Sequence, residues 1–256
     1  MRWVVFKEVF RKSVLEGLRY LFNLVTALIT MYLFFLILFL GSRWLVPGLD
    51  LGSTTEALVV GFSVWMFTLF AYQDICWGIS TEAEVGTLEQ LHLSPAGFTW
   101  VSTCLALSRF LMNLIPLAFL TVLMMLTTGR WLHLDLVSLI PVLVLTLLPA
   151  YGFGYLMGGL ALVFKRIQNS FQILQFIFIA FMATPSVAFP WARFLPLNLG
   201  VQMLRAVMGE GLALWDLPAS DLVTLAVVGV AYLSLGLLAF AHCTRVARDR
   251  GLLGHY

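Results

Sequence analysis

The chain has 256 residues, of which 61% are hydrophobic and only 11% are charged, and its mean hydropathy is +0.97. These values lie far outside the range of soluble globular domains, so they exclude a soluble enzyme and predict an all-α membrane protein. The net charge of +2 says little by itself, because the distribution of Lys and Arg is what orients a membrane protein. We expect no nucleic-acid partner.

Six apolar runs are long enough to cross a hydrocarbon core of about 30 Å, which needs about 20 residues per helix. They lie near 21–41, 57–77, 104–126, 136–163, 168–189 and 222–243. Six spans leave little of the chain for anything else, so we predict one transmembrane domain over 1–256. The first run lies too deep in the chain for a cleaved signal peptide, and we expect it to be retained.

The Lys and Arg residues favour a topology with both termini in the cytoplasm. With an even number of spans and a cytoplasmic N-terminus, four of these cations lie outside and Arg109 lies within a span. The four are Arg43, Arg130, Arg193 and Arg205. The ten inside are Arg2, Lys7, Arg11, Lys12, Arg19, Lys165, Arg166, Arg245, Arg248 and Arg250. This excess agrees with the positive-inside rule.

The N-terminal segment 1–19 has a helical pattern, because Trp3, Phe6 and Phe10 recur on one face. This predicts a helix that lies on the cytoplasmic membrane surface. The alternative is a basic cytoplasmic extension of the first span.

The segment 81–93 is predicted to be a short cytoplasmic helix between the second and third spans. Thr81 and Glu84 have the spacing of a capping box, and Ser94-Pro95 supplies a stop. The segment carries Glu82, Glu84 and Glu89 but no Lys or Arg. Anionic headgroups repel such a helix, which favours docking onto a protein; the alternative is a solvated turn helix at the headgroups.

The fourth and fifth spans carry two further patterns. Gly154 and Gly158 form a Gly-x-x-x-Gly pair, which allows close helix packing. Gln168, Gln172 and Gln175 share one face at the start of the fifth span. Amides within a membrane point into a bundle, a subunit seam or a wet cavity, so these three either line a transport pathway or bond neighbouring helices.

The segment 190–221 contains three prolines and an amphipathic piece around 201–207. It is too polar to span, and we predict an external cap or a re-entrant element.

The sequence contains no recognisable nucleotide-binding, metal-binding or catalytic motif. The three lysines do not follow glycine, so a Walker-type phosphate loop is absent. The four histidines and three cysteines form no metal-binding pattern, and we expect no disulfide, no metal site and no catalytic residue. Asp74 is the one acid near the interior of a span.

Between the second and third of the six spans, the chain reads Glu84-x-Gly86-Thr87-Leu88-Glu89-Gln90-Leu91, followed by Ser94-Pro95. This motif resembles that of the permease subunits of type-2 ABC exporters. The order of elements is also similar: an N-terminal interfacial helix, six spans and an external segment before the last span, here LPLNLGVQMLRAV at 195–207.

The resemblance implies a subunit of a bacterial inner-membrane exporter. The aromatic, weakly charged spans favour an apolar or amphipathic cargo such as a drug, an antibiotic or a lipid, and the alternatives are a polysaccharide or a haem-related cargo. The coupling residues of the subunit would be Glu82, Glu84, Gly86, Thr87, Leu88, Glu89, Gln90 and Leu91. They would contact a cytoplasmic ABC ATPase present in two copies, which carries ATP and Mg²⁺, and the second permease would be another copy of this chain. Membrane lipid surrounds both.

The resemblance also places a substrate route along the seam between two permeases, lined by second and fifth spans. Here that position corresponds to Phe62, Trp65, Phe67, Phe70, Gln168, Gln172 and Gln175.

Two other classes of function compete with this hypothesis. A stand-alone secondary transporter or channel needs an ion-coupling carboxylate, for which Asp74 is the candidate. An intramembrane enzyme that acts on lipid needs a paired nucleophile and base, and no such pair is visible.

Overall fold

The computed structural model describes residues 2–45, 51–84, 98–164, 167–185 and 189–249. Within these ranges the chain is all-helical, and we number its eight α-helices in chain order. They are α1 Arg2–Arg19, α2 Leu21–Leu45, α3 Leu51–Glu84, α4 Phe98–Thr128, α5 Leu136–Phe164, α6 Gln168–Ala183, α7 Asn198–Glu210 and α8 Ala219–Asp249. Two short 3₁₀ helices, Pro190–Phe194 and Leu214–Asp216, flank α7.

Five of these helices, α2, α3, α4, α5 and α8, are long and apolar enough to cross a membrane. The chain therefore has the length and composition of a multi-pass α-helical membrane protein, as the sequence predicts. Helix α6 is apolar but has only 16 residues. The apolar run predicted over 168–189 is helical only to Ala183, because Thr184 is extended and precedes Pro185.

Helix α3 is the centre of the bundle. In its apolar 18-residue stretch 61% of the residues are buried, compared with 11% in the corresponding stretch of α2 and 17% in that of α8. It packs against α4, α5, α6 and α7. With 34 residues it is about 51 Å long at 1.5 Å per residue, so it extends well beyond a hydrocarbon core of about 30 Å.

Helix α5 packs on its two neighbours through glycines on two different faces. A Cβ at Gly154 would lie 3.2 Å from the backbone oxygen of Tyr72 in α3. A Cβ at Gly159 would lie 3.1 Å from the Cα of Phe240 in α8. The close packing predicted at Gly154 and Gly158 is confirmed, and a second contact on the α8 side accompanies it.

The tightest contact between α5 and α8 joins two glycines. A Cβ added to Gly236 in α8 would collide with the backbone of Gly152, and a Cβ added to Gly152 would collide with the backbone oxygen of Tyr232. In lipid, helices associate through van der Waals contact rather than through a hydrophobic driving force. The missing side chains therefore allow the two backbones to meet.

The start of α5 is fixed by side-chain hydrogen bonds. The Asp135 carboxylate accepts the backbone N–H of Val137 at 3.2 Å and the hydroxyl of Ser138. The bond from Ser138 lowers the pKa of the Asp135 carboxyl. The same hydroxyl oxygen accepts the N–H of Leu214 at 2.9 Å, which connects this cap to the second 3₁₀ helix.

The N-terminal segment is helical, as predicted, and α1 packs against α4. Only Tyr20 separates α1 from α2, and hydrogen bonds of helical spacing continue across it, from the Tyr20 N–H to Glu16 and from the Leu24 N–H to Tyr20. The rings of Trp3 and Phe6 are in tilted contact with their centroids 5.7 Å apart, and Trp3 is largely exposed.

The predicted helix start at Thr81 is wrong. Residues 81–84 form the last turn of α3, which continues from the membrane without a break. The local capping signal is overridden because the preceding residues are helical and are packed in the bundle. The remainder of the predicted 81–93 helix lies outside the described residues.

The Gly152–Gly236 contact leads to a test of the fold. We expect Gly236→Ala to destabilise the protein by about 1–3 kcal/mol, the usual cost of overpacking, because the added methyl group meets backbone that cannot rotate away. Thermal unfolding in detergent measures the change.

Gly41→Ala is the matched control, since Gly41 also lies in an apolar helix and an added Cβ there meets nothing within 4 Å. Equal melting temperatures for the two variants would contradict the glycine contact as a determinant of stability.

Candidate functional site

The residues predicted to contact an ATPase begin at the end of α3. Glu82 and Glu84 lie in its last turn, one turn beyond the apolar stretch that ends at Thr81. Gly86, Thr87, Leu88, Glu89, Gln90 and Leu91 lie outside the described residues, in the connection between α3 and α4. The predicted docking contacts therefore stay predictions.

A polar cluster joins α3 to α4 close to this end of the bundle. The Asn113 side chain donates a hydrogen bond to the Asp74 carboxylate at 2.7 Å, and the Arg109 guanidinium donates to the Asp74 backbone oxygen at 2.7 Å. A Cβ at Gly78 would lie only 2.8 Å from Nη1 of Arg109. Glycine at position 78 thus leaves room for the guanidinium against α3.

This cluster gives Arg109 a structural role. A cation near the end of a span normally extends toward the headgroups, whereas Arg109 instead contacts the neighbouring helix. Asp74 has a local hydrogen-bond partner and a nearby positive charge. It is therefore part of a junction between two helices, tied to α4 through both its side chain and its backbone oxygen.

The aromatic residues predicted to line a substrate route lie in three places. Phe62 and Trp65 pack with Phe34 of α2, with ring centroids 5.3–6.0 Å apart. Phe67 lines a different groove, between α3, α4 and α5. Phe70 packs at the edge of the buried core. The described structure does not bring these four together around one cavity.

The predicted glutamine face lies on α6, whose start is held against α3. The Tyr72 hydroxyl of α3 donates a hydrogen bond to the backbone oxygen of Phe171 at 2.9 Å. Gln172 is exposed and Gln175 is half-buried, while the side chain of Gln168 lies outside the described atoms. An exposed amide on an apolar helix is costly against lipid.

Beyond α6 the chain turns back against the bundle, and Asn198 secures this turn. Asn198 is 1% exposed, and its amide donates hydrogen bonds to the backbone oxygens of Phe181 at 2.8 Å and Thr184 at 2.7 Å. Its side-chain oxygen accepts from Gln202 at 2.7 Å. The carbonyls at the end of α6 are thereby satisfied away from water.

Helix α7 follows this turn and packs against α3 and α5. Gly200 lies so close to Thr146 of α5 that a Cβ would collide with its side chain. The predicted amphipathic piece is confirmed as part of α7, because Val201, Leu204 and Val207 are buried while Arg205 is exposed.

An open groove of about 550 Å³ lies between α2, α3, α6 and α7. Its wall is apolar except at Trp65 and Arg205. It is lined by Phe34, Leu38, Ala57, Leu58, Gly61, Phe62, Trp65, Ile179, Met182, Ala183, Val201 and Arg205. Two of the residues predicted for a substrate route, Phe62 and Trp65, therefore belong to its wall.

Sequence reasoning missed Asn113, Asn198 and Arg205. The two asparagines carry a detectable signal, because each is a lone amide in an apolar stretch and must find a partner there. For Arg205, the sequence alone indicates only a cation on the external side. Its position against α3 depends on the turn made at Asn198, which composition does not reveal.

Within the described ranges, no group of three or more His, Cys, Asp and Glu side chains is arranged to hold a metal ion. All three cysteines are free thiols. Comparison with protein-family models and with curated proteins found no match to this chain. The structure and the sequence therefore carry the functional argument alone.

Asn198→Ala tests the turn between α6 and α7. We expect a loss of about 1–3 kcal/mol, because two buried carbonyls lose their donor. Thermal unfolding in detergent reports it, with Asn169→Ala as the control, since Asn169 is exposed on α6. A melting temperature unchanged in both variants would show that the Asn198 bonds do not hold the turn.

Proposed function

We propose that this chain is the membrane-spanning subunit of an ATP-driven exporter, coupled to a separate cytoplasmic ATPase through residues 81–93. The proposal rests on the acidic segment Glu84–Leu91, which begins at the last residue of α3. Among the described helices that are long enough to span a membrane, α3 has the largest buried share. A contact made there acts on the helix with the most neighbours in the bundle.

The polar cluster at Asp74 supports a mechanical role for this connection. It ties α3 to α4 near the two ends that residues 85–97 join. A displacement of the connecting segment would therefore move α3 and α4 together. ATP binding by the partner would drive transport only through contacts that differ between nucleotide states.

We propose that the chain has six spans, of which α6 is the fifth. At 16 residues α6 is about 24 Å long, which crosses most of a hydrocarbon core, and α7 then returns into the bundle as a re-entrant helix. An even number of spans would put both termini on one side, and the excess of Lys and Arg favours the cytoplasm as that side. We propose the inner membrane of a bacterial cell as the location.

The proposal also includes a second copy of this chain. Gln172 is exposed on an apolar helix, and a partner helix would give its amide hydrogen bonds that lipid cannot. The cargo is proposed to be apolar or amphipathic, because the exposed aromatic and aliphatic surface of the helices offers few charges.

Charge reversal tests the coupling segment. We expect Glu84→Lys and Glu89→Lys to lower the ATPase activity of the assembled complex by about tenfold, the effect of losing about 1.4 kcal/mol of coupling. Glu210→Lys is the control, because Glu210 is exposed at the end of α7, on the opposite side in this topology. Unchanged activity in the first two variants would overturn the docking role.

Asp74→Asn separates an exporter from an ion-coupled transporter. The asparagine oxygen can still accept the bond from Asn113, so we expect ATP-driven transport to persist. An ion-coupled carrier would lose uptake or efflux entirely, because a neutral amide cannot exchange a proton or bind a cation as a carboxylate does. Loss of transport in a correctly folded Asp74→Asn protein would favour the carrier.

A further inference from the structure

We propose that the groove between α2, α3, α6 and α7 binds an anionic phospholipid from the surrounding bilayer, with its phosphate at Arg205 and an acyl chain along the aromatic wall. This site is separate from the coupling segment, and it does not depend on the exporter proposal.

The first observation is the position of the Arg205 guanidinium. A Cβ at Gly61 would lie 3.6 Å from Nη2 of Arg205. Gly61 is six residues into the apolar stretch of α3 that begins at Thr55, which corresponds to about 9 Å along the helix. The cation therefore lies level with apolar helix surface, where an uncompensated charge is strongly disfavoured.

The second observation is that the acids Glu56 and Asp221 have partners other than Arg205. Glu56 on α3 pairs with Arg130 at 3.7 Å, and Asp221 at the start of α8 pairs with Arg193 at 3.8 Å. No described ion pair or hydrogen bond involves the guanidinium of Arg205. An anion from outside the chain would supply the missing charge.

The third observation concerns Trp65, which lies one helical turn from Gly61 on the same face of α3. Its indole Nε1 is the only buried side-chain nitrogen or oxygen without a hydrogen-bond partner among the described residues. No side chain of the groove wall provides an acceptor oxygen. Because this nitrogen is buried, the donor that an occupant of the groove can reach is the Arg205 guanidinium, and the occupant must bring the acceptor.

The rest of the groove wall is suited to the acyl chain of the ligand. Phe34, Leu38, Phe62, Ile179 and Met182 line the groove, and they match hydrocarbon rather than a small hydrated anion. A molecule with a phosphate and an acyl chain satisfies both the Arg205 cation and the apolar wall. A bilayer lipid reaches such an open groove directly from the membrane.

The full-length chain in detergent is titrated with dioleoyl phosphatidylglycerol and, separately, with dioleoyl phosphatidylcholine, and bound lipid is measured by native mass spectrometry. The acyl chains are identical, so the headgroup is the variable. We expect the anionic lipid to bind about tenfold more tightly, because the choline cation of the other lipid offsets the phosphate charge that pairs with Arg205. Equal binding of the two lipids would overturn the proposal.

Arg205→Gln should remove the preference for the anionic lipid, and Arg193→Gln should keep it, because Arg193 already pairs with Asp221. Gly61→Leu leaves the charge in place but fills the groove, so both lipids should bind more weakly. A preference that survives Arg205→Gln would overturn the proposal. Inorganic phosphate that binds as tightly as the anionic lipid would show that the acyl chain contributes nothing, which also contradicts it.

An Ala57→Cys variant distinguishes lipid from a second copy of the chain as the occupant. Ala57 lines the groove and leaves Arg205 unchanged. We expect a maleimide to label this thiol in detergent and the anionic lipid to protect it, relative to background labelling of the parent chain. Protection without added lipid would mean that another chain covers the groove, and would overturn the proposal.

Discussion

The packing of α5 between α3 and α8 is the constraint on which the rest of the bundle depends. Because lipid removes the hydrophobic drive for helices to associate, their contacts must come from close van der Waals fit. Glycines on two faces of α5 allow that fit on both sides: Gly154 and Gly158 face α3, while Gly152 and Gly159 face α8. The three helices form a frame on which α2, α4, α6 and α7 pack, while α1 packs on α4.

Two features of α3 connect this frame to function. One half of α3 forms a wall of the groove that holds Arg205, and its other end carries Glu82 and Glu84 beyond the apolar stretch. Between them, Asp74 is bonded to Asn113 and Arg109 of α4. A force applied at the Glu84 end of α3 would act on α3 and α4 together and would reach the groove through a single continuous helix.

The turn after α6 shows how an irregular segment is tolerated beside apolar helices. Unpaired carbonyls at the end of a helix are costly in such surroundings. Asn198 satisfies two of them, and Gly200 then lets α7 approach Thr146. As a result α7 lies against the frame instead of extending into solvent, and this position brings Arg205 to the groove.

Much of this fold is predictable from the sequence, because an apolar run of about 20 residues has few alternatives to a helix. The positions of the long helices and the glycine contact at Gly154 and Gly158 follow from such local rules. The end of α6 and the continuity of α3 through Thr81 do not, because a proline near a helix end and a capping signal each allow more than one outcome. The site residues Arg205 and Asn113 depend on which helices become neighbours, and the local patterns of one sequence do not reveal that.

The most direct test of the account is to purify the tagged chain from its native membranes and measure ATP hydrolysis in the eluate. If this chain is an exporter subunit, a separate ATPase subunit with a Walker motif will copurify with it in a stable ratio, and the ATPase activity of that subunit will depend on this chain. A chain that purifies without any ATPase from several detergents, and that moves solute in liposomes under an ion gradient alone, would contradict it.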